Sequence, residues 1–315
     1  MTLRQRAISE IGEILRDCNL RRDHLVMPLF VSDRKQNEIA AMPGMEMTPL
    51  ERVVGRVQEI SDAGLTAAIL FGVPSKRTAD GRDASDRNGI VQSALRRLRS
   101  NFGKMELISD VCICQYNTSG HCGLVLQDGR VDNDGTLDRL ADIAASHSDA
   151  GADIVAPSAM MDGQVSAIRS RLDDIGSSAK ILSYSAKHSS SLYSPFRSAA
   201  FEAGRTALDK STYQVSYANA RQAMREIELD IGEGADMVMI KPALAYLDLI
   251  RMAKDKFRFP IAAQNVSGEY AMIKAAGMAG LIDEEEWKVS SVASIKRAGA
   301  DRIISYFSLD IARHL

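Results

Sequence analysis

An excess of charge of either sign is what this chain most clearly lacks. Thirty-nine basic residues stand against 41 acidic ones, a net of −2 over 315 residues. That balance argues against a nucleic-acid footprint or a polybasic membrane patch. Long apolar runs are also missing, with none approaching the roughly 18 residues of a membrane helix. The first residues, Met1-Thr2-Leu3-Arg4-Gln5-Arg6, lead into an amphipathic stretch rather than a signal-peptide core. Cysteine is scarce, and three of the four fall within eleven positions. Such clustering is no disulfide framework, so a reduced cytoplasm is the expected compartment. There is no Ser/Gly/Pro-rich linker and no internal repeat beyond an alternation of short apolar runs with amphipathic stretches.

That alternation is the main positive signal. Eight runs read as strands: 25–31, 66–72, 105–111, 153–158, 180–186, 236–242, 260–266 and 302–307. They are near-continuous in Val, Ile, Leu and Met, which marks strands buried on both faces. Helical patterns lie between them, for example 217–232, with Ala220, Ala223, Met224, Ile227 and Ile231 on one stripe. Positions 142–145 and 282–300 carry similar spacing. Eight βα units predict an α/β fold, a (β/α)8 TIM barrel over residues 23–315. A doubly wound sheet is the runner-up, disfavoured because no G-x-G-x-x-G follows the first strand. Residues 1–22 belong to no βα unit, although Ile8, Ile11, Ile14 and Leu15 make an apolar stripe. They read either as a lid beneath the barrel or as an arm that packs on another subunit. Residues 81–89 are polar and read as a loop.

Catalytic groups of such a barrel gather at the C-terminal ends of its strands. The predicted strand ends deliver Asp110, Cys112 and Cys114 from the third, Ser158 and Asp162 from the fourth, and Lys187 from the fifth. The sixth ends in Lys241, the seventh leads into Ser267, and the eighth carries Tyr306. Lysine is rarely buried, so two at strand ends point to amines whose pKa the fold depresses. An unprotonated lysine beside a carbonyl compound forms a Schiff base. For one lysine alone, a solvated side chain just past a strand is the plainer reading. The three cysteines form C-x-C plus a third after a turn, and three thiolates with an open fourth position suit catalytic zinc. His121 as a fourth ligand would close the site, and three ordinary buried thiols remain the bland alternative. Cys18, alone, reads as a small hydrophobe. Tyr193, Arg197, Lys210 and Gln214 lie in a loop-like stretch whose cations suit a substrate carboxylate.

With these residues in hand, the chain resembles the porphobilinogen synthase (δ-aminolevulinic acid dehydratase) family. The matching segments include Asp110-Val111-Cys112-Ile113-Cys114, Gly120-His121-Cys122-Gly123, and Val155-Ala156-Pro157-Ser158 with Met160-Met161-Asp162-Gly163. Ser183-Tyr184-Ser185-Ala186-Lys187, Tyr213-Gln214, Glu233-Gly234-Ala235-Asp236 through Lys241-Pro242, and Val266-Ser267-Gly268-Glu269-Tyr270 follow in order. Arg297-Ala298-Gly299-Ala300-Asp301 completes the series, with Pro28-Leu29-Phe30-Val31 and Met42-Pro43-Gly44 near the start. The resemblance implies condensation of two 5-aminolevulinate molecules into porphobilinogen, with loss of two waters, in tetrapyrrole (heme) synthesis. It implies Lys241 holding the first substrate and Lys187 the second, with Asp110 assisting proton transfer. Ser267 and Tyr306 would bind one carboxylate; Arg197, Lys210 and Gln214, on a lid with Tyr193 beside them, the other. Cys112, Cys114 and Cys122 would hold zinc. The family also implies homo-octamers embraced by N-terminal arms, and a regulatory magnesium to which no residues here are assigned.

Several positions depart from the family pattern near the expected chemistry. Ala159 stands where an Asp usually follows Pro-Ser, Ala243 where a Gly follows Lys-Pro, and Ser194 where a Gly precedes Pro. Ser119 replaces a usual His, and Gln264-Asn265 stands where an aromatic residue is common. Three readings follow: the synthase itself, a diverged paralogue that acts on another amino-ketone or carbonyl substrate, or a non-catalytic metal-binding assembly protein.

Overall fold

A computed structural model describes residues 11–35, 37–200 and 209–315. Eight parallel strands close into a barrel: β1 (Leu25–Ser32), β2 (Ala67–Val73), β3 (Glu106–Val111), β4 (Ile154–Pro157), β5 (Lys180–Lys187), β6 (Met237–Lys241), β7 (Ile261–Asn265) and β8 (Arg302–Ser305). Each pairs with its chain neighbour, and β8 returns to β1 through Leu25↔Ile303 and Val26↔Ile304. The expected TIM barrel is therefore present, with each strand within two residues of its predicted ends. All eight residues of β1 are buried, as its unbroken apolar run requires when a strand faces barrel interior and helices at once.

Around the barrel run α2 (Val53–Asp62), α3 (Ile90–Asn101), α4 (Asn133–Asp149), α5 (Gln164–Asp174), α6 (Ser194–Ala200), α7 (Ala220–Gly232), α8 (Leu247–Phe257), α9 (Ser267–Met278), α10 (Glu284–Ala298) and α11 (Ser308–Ala312). Before the barrel, α1 (Ile11–Asp17) lies against α10 with Leu15 fully buried. The part of the predicted arm at residues 1–10 lies outside the described residues. Helix α7 begins three residues later than its apolar period suggests, because the Asn219 side chain accepts the Gln222 amide at 3.1 Å and sets the N-cap there. Ala220 is exposed in consequence, while Ala223, Met224 and Ile227 are buried. Segment 81–89 holds a 3-10 turn, Arg82–Ser85, whose Ala84 is buried and accepts from the Gln92 side chain at 2.8 Å. A polar composition thus hid one apolar anchor.

Three helix-to-strand junctions are built alike. Gly151-Ala152-Asp153, Gly234-Ala235-Asp236 and Gly299-Ala300-Asp301 each begin with glycine at φ +104°, +101° and +121°, a region that L side chains avoid. Each aspartate then staples its strand to the preceding one. Asp153 Oδ2 accepts Leu107 N at 2.8 Å, Asp236 Oδ2 accepts Ile181 N at 2.8 Å, and Asp301 Oδ2 accepts Ile261 N at 2.9 Å. Their own amides donate back to the carbonyls of the same three residues. A cation covers each carboxylate: Arg99 and Arg169 at 2.5 Å, Lys254 at 2.7 Å. The recurring Gly-Ala-Asp triplet corrects the expectation of no internal repeat beyond the alternation, because apolar periodicity alone passes over it.

Candidate active site

One irregularity in β5 decides what the barrel interior contains. Ser183 pairs with Val238 and Ala186 with Ile240, so β5 spends three residues where β6 spends two. Strict alternation would send Tyr184 and Lys187 to opposite faces; the extra residue brings both inward. Lys187 then sits directly beside Lys241, its partner in register. Ser183 faces outward and donates to Asp230 of α7 at 2.6 Å.

The two amines share a cavity at the C-terminal ends of the strands. Lys187 and Lys241 are 9% and 7% exposed. Lys187 Nζ donates to the Ser158 carbonyl at 2.5 Å, and Lys241 Nζ to Gln264 Oε1 at 2.8 Å. The Tyr184 ring lies beneath both, 4.6 Å from Lys241 Nζ and 5.8 Å from Lys187 Nζ, and Tyr193 is 5.3 Å from Lys241 Nζ. Burial, reinforced by the Lys187 ammonium, lowers Lys241 to about 7. Asp110, from the end of β3, accepts from the Gln115 side chain at 3.1 Å, and burial raises its carboxyl above the usual range.

The backbone of Lys241 is held as firmly as its amine. Its carbonyl accepts the His188 amide at 3.0 Å and the Tyr193 hydroxyl at 3.2 Å, just before a cis peptide bond to Pro242. Glu269, in the first turn of α9, accepts the amides of Val266 and Leu244 at 2.5 and 2.6 Å. It thereby ties the loop after Lys241 to the helix that begins at Ser267. Periodicity offered no hint of Glu269, Tyr184 or His188; a Glu three residues after Val266, the spacing of a helix N-terminal cap, was the available signal for the first.

The other sequence-selected residues converge on the same space. Asp110, Cys114, Cys122, Lys187, Tyr193, Arg197, Lys210, Gln214, Lys241, Ser267 and Tyr306 line one cavity of about 50 Å³. Cys112 lies just behind, its Sγ 3.3 Å from that of Cys114. Tyr306, one residue past β8, stacks on Phe30 with centroids 6.1 Å apart, and Ser267 Oγ accepts the Phe196 amide at 3.1 Å. Lys210, 5% exposed, donates to Cys122 Sγ at 3.2 Å. Burial opposes its charge, but the three cysteines outweigh that and hold the ammonium above the ordinary lysine range. Gln214 Oε1 is buried with no hydrogen-bond partner among the described residues. Asp162 does not join this site; it lines a separate groove of about 890 Å³ between the β4 and β5 loops and α7.

The cysteine cluster fits a soft metal. The three sulfur atoms lie within 4.8 Å of one another, all buried. Hydrogen bonds from Cys112 and Cys114 pull the Cys122 thiol well below its usual value, while contacts with Cys114 and then Cys122 push Cys112 well above. One thiolate is thus already favoured, and a cation would favour the other two. His121 turns its Nδ1 to the Tyr213 hydroxyl at 3.1 Å and stands outside the sulfur group, which comprises three cysteines among the described residues. Cys18 is half-buried and its thiol donates to the Leu15 carbonyl at 3.3 Å.

The family departures have simple local accounts. Ala243 has φ −86°, ψ −48° and Ser194 φ −58°, ψ −43°, right-handed angles that need no glycine. Ser119 Oγ donates to Asn117 Oδ1 at 3.2 Å within the turn before Cys122. Ala159 is fully buried.

Comparison with known proteins agrees with this geometry. The family profile described as Delta-aminolevulinic acid dehydratase matches residues 2–314. A Delta-aminolevulinic acid dehydratase of Archaeoglobus fulgidus is 49% identical over 306 residues, covering 96% of this chain and 94% of that protein. One from Halalkalibacterium halodurans is 44% identical, covering 99% and 95%. The crystal structure of delta-aminolevulinic acid dehydratase (porphobilinogen synthase) from Toxoplasma gondii, in complex with the reaction product porphobilinogen, superposes with a TM-score of 0.92. It is 37% identical, over 96% of this chain and 87% of that one. The chain belongs to the delta-aminolevulinic acid dehydratase family of hydro-lyases.

Proposed function

We propose that the protein condenses two molecules of 5-aminolevulinate into porphobilinogen, releasing two waters, with each substrate held by one lysine. The observation that carries this reading is the register pairing of Lys187 with Lys241, both lining one cavity. An amine whose pKa lies near 7 is about half unprotonated at neutral pH, against fewer than one in a thousand for an ordinary lysine. Lys241 is therefore ready to attack a keto carbon, and the protonated imine that follows acidifies the adjacent carbon. Tethering both partners removes the entropic cost of a bimolecular encounter, worth about 7–11 kcal/mol in well-oriented systems. Asp110, its carboxyl raised by burial, can hold or release a proton between the two amines.

Arg197, Lys210, Gln214, Ser267 and Tyr306 supply cationic and polar groups for two carboxylates, with Tyr193 closing the chamber. Cys112, Cys114 and Cys122 would hold zinc, which supplies a Lewis acid for a substrate carbonyl or hydroxyl. A reduced cytoplasm suits those thiols, and the reaction would serve heme synthesis. Following the family, residues 1–22 are taken as an arm for assembly into octamers, with a regulatory magnesium elsewhere. A paralogue with another substrate gains no support from the chain-long similarity, and a non-catalytic role leaves two buried amines unexplained.

A pyrrole assay tests the proposal. With 5-aminolevulinate and zinc, the purified protein should produce a pyrrole; a chelator or Lys241→Ala should abolish it. No pyrrole from folded, zinc-loaded protein would refute the reading.

A further inference from the structure

We infer that Gln264 is a positioning residue for the imine-forming amine: its side-chain oxygen holds Lys241 Nζ and then accepts the single N–H of the protonated imine. The inference rests on Lys241 being the imine-forming lysine. Three observations carry it. Lys241 Nζ donates to Gln264 Oε1 at 2.8 Å, and no other hydrogen-bond acceptor within the described residues takes that amine. Gln264 is 2% exposed and lies on β7, next to β6, so the contact is between two buried side chains on neighbouring strands. Its backbone faces inward by register: Ala263 pairs with Ile240, so Gln264 and Lys241 share the interior face.

The remaining groups around the amine cannot do this work. Tyr184 of β5 and Tyr193 offer ring faces rather than lone pairs, at 4.6 and 5.3 Å. Lys187 of β5 repels it. Asp110 of β3, Glu269 of α9 and Cys122, on the loop after β3, act on it through space, without a hydrogen bond. Among the described residues, Gln264 alone makes a directional contact.

The chemistry gives the contact two consequences. In imine formation the free amine adds to the keto carbon; both amine protons leave in the water that carries away the keto oxygen. The neutral imine then takes up one proton and has one N–H, for which Gln264 Oε1 is the acceptor at hand. Because that oxygen favours a protonated nitrogen, it raises the pKa of the free amine as well as that of the imine. It therefore opposes burial and the Lys187 ammonium, keeping the amine from becoming so acidic that its imine would lie unprotonated and unreactive.

Borohydride trapping of the imine with levulinate, a 4-oxo acid lacking the 5-amino group, reads this directly. Borohydride delivers hydride to the protonated imine carbon and leaves a stable secondary amine on the lysine, located by peptide mapping. The initial trapping rate is followed against pH in the zinc-loaded full chain and in two variants. Gln264→Leu should move the midpoint at least about one pH unit toward acid, as expected for loss of a hydrogen bond to a charged group. Gln264→Glu, which has the same shape, should move it toward alkali and keep trapping at Lys241. Midpoints that coincide in all three proteins would overturn the inference, including the case in which trapping merely weakens equally at every pH. Failure of the unaltered protein to trap levulinate at Lys241 would instead overturn the proposed function.

Discussion

Single residues here carry opposing demands of chemistry and stability, and Lys241 shows them most directly. Burial first, and the Lys187 ammonium second, lower its amine to about 7, whereas unfolding returns it to the ordinary lysine value near 10.4. Between those values the unfolded state binds a proton that the folded state does not, so stability rises with pH across the window. Below about 7 the folded chain also takes the proton, at full cost. Lys241→Met removes that cost without leaving a cavity. The variant should therefore melt higher than the unaltered protein at pH 6, with the difference fading above about pH 10.5, in parallel thermal scans. An equal difference at all pH values would mean that packing, rather than the buried charge, is responsible. The candidate site was legible at this scale because lysine and cysteine at strand ends are chemically out of place. Gln264 and Glu269 were not legible as partners, since polar residues near a strand end have many plainer uses.

At the scale of elements, the barrel is positioned by a few recurrent devices rather than by helix propensity. The three Gly-Ala-Asp junctions each set a left-handed turn and pair a carboxylate with an amide at the start of the preceding strand. Asp236→Ala leaves the Ile181 amide without its carboxylate acceptor and removes one ion-pair partner of Arg169, at the foot of the strands that bear both lysines. The expected loss is about 1–3 kcal/mol in urea unfolding, the usual cost of orphaning a buried donor. Activity at saturating substrate should change little, because the lysines stand at the far ends of β5 and β6. A fall in activity without a fall in stability would contradict that placement. The β5 irregularity is the other device: one added residue between Ser183 and Ala186 turns Tyr184 and Lys187 to the same face. Periodicity predicts the strand but not the extra residue, since an apolar run buried on both sides looks the same in either register.

For the whole molecule, the assignment of residues 1–22 to an arm is the claim with the largest reach. Helix α1 packs on α10 of its own barrel through Leu15, while Ile11 and Ile14 are only partly covered. Removing residues 1–10 should leave the barrel folded, with an unchanged far-ultraviolet signature, and reduce the assembly below an octamer by light scattering. An octamer that survives the truncation would assign assembly to other surfaces. Among those described, Met278 and Leu281 are exposed by 74% and 78%.

The sequence by itself determined the eight buried strands, their order and the chemical types at their ends. Apolar runs and chemically costly residues leave local signals that need no knowledge of the fold. It also determined the family, because the motifs recur in order along nearly the whole chain. Only the tertiary structure decided that Lys187 lies in register with Lys241, that Gln264 holds one amine while Ser158 holds the other, and that Lys210 reaches Cys122 from 88 residues away. Closure of the barrel brings distant strand ends within ångströms. The spacing of residues along the chain does not encode the register in which the strands meet.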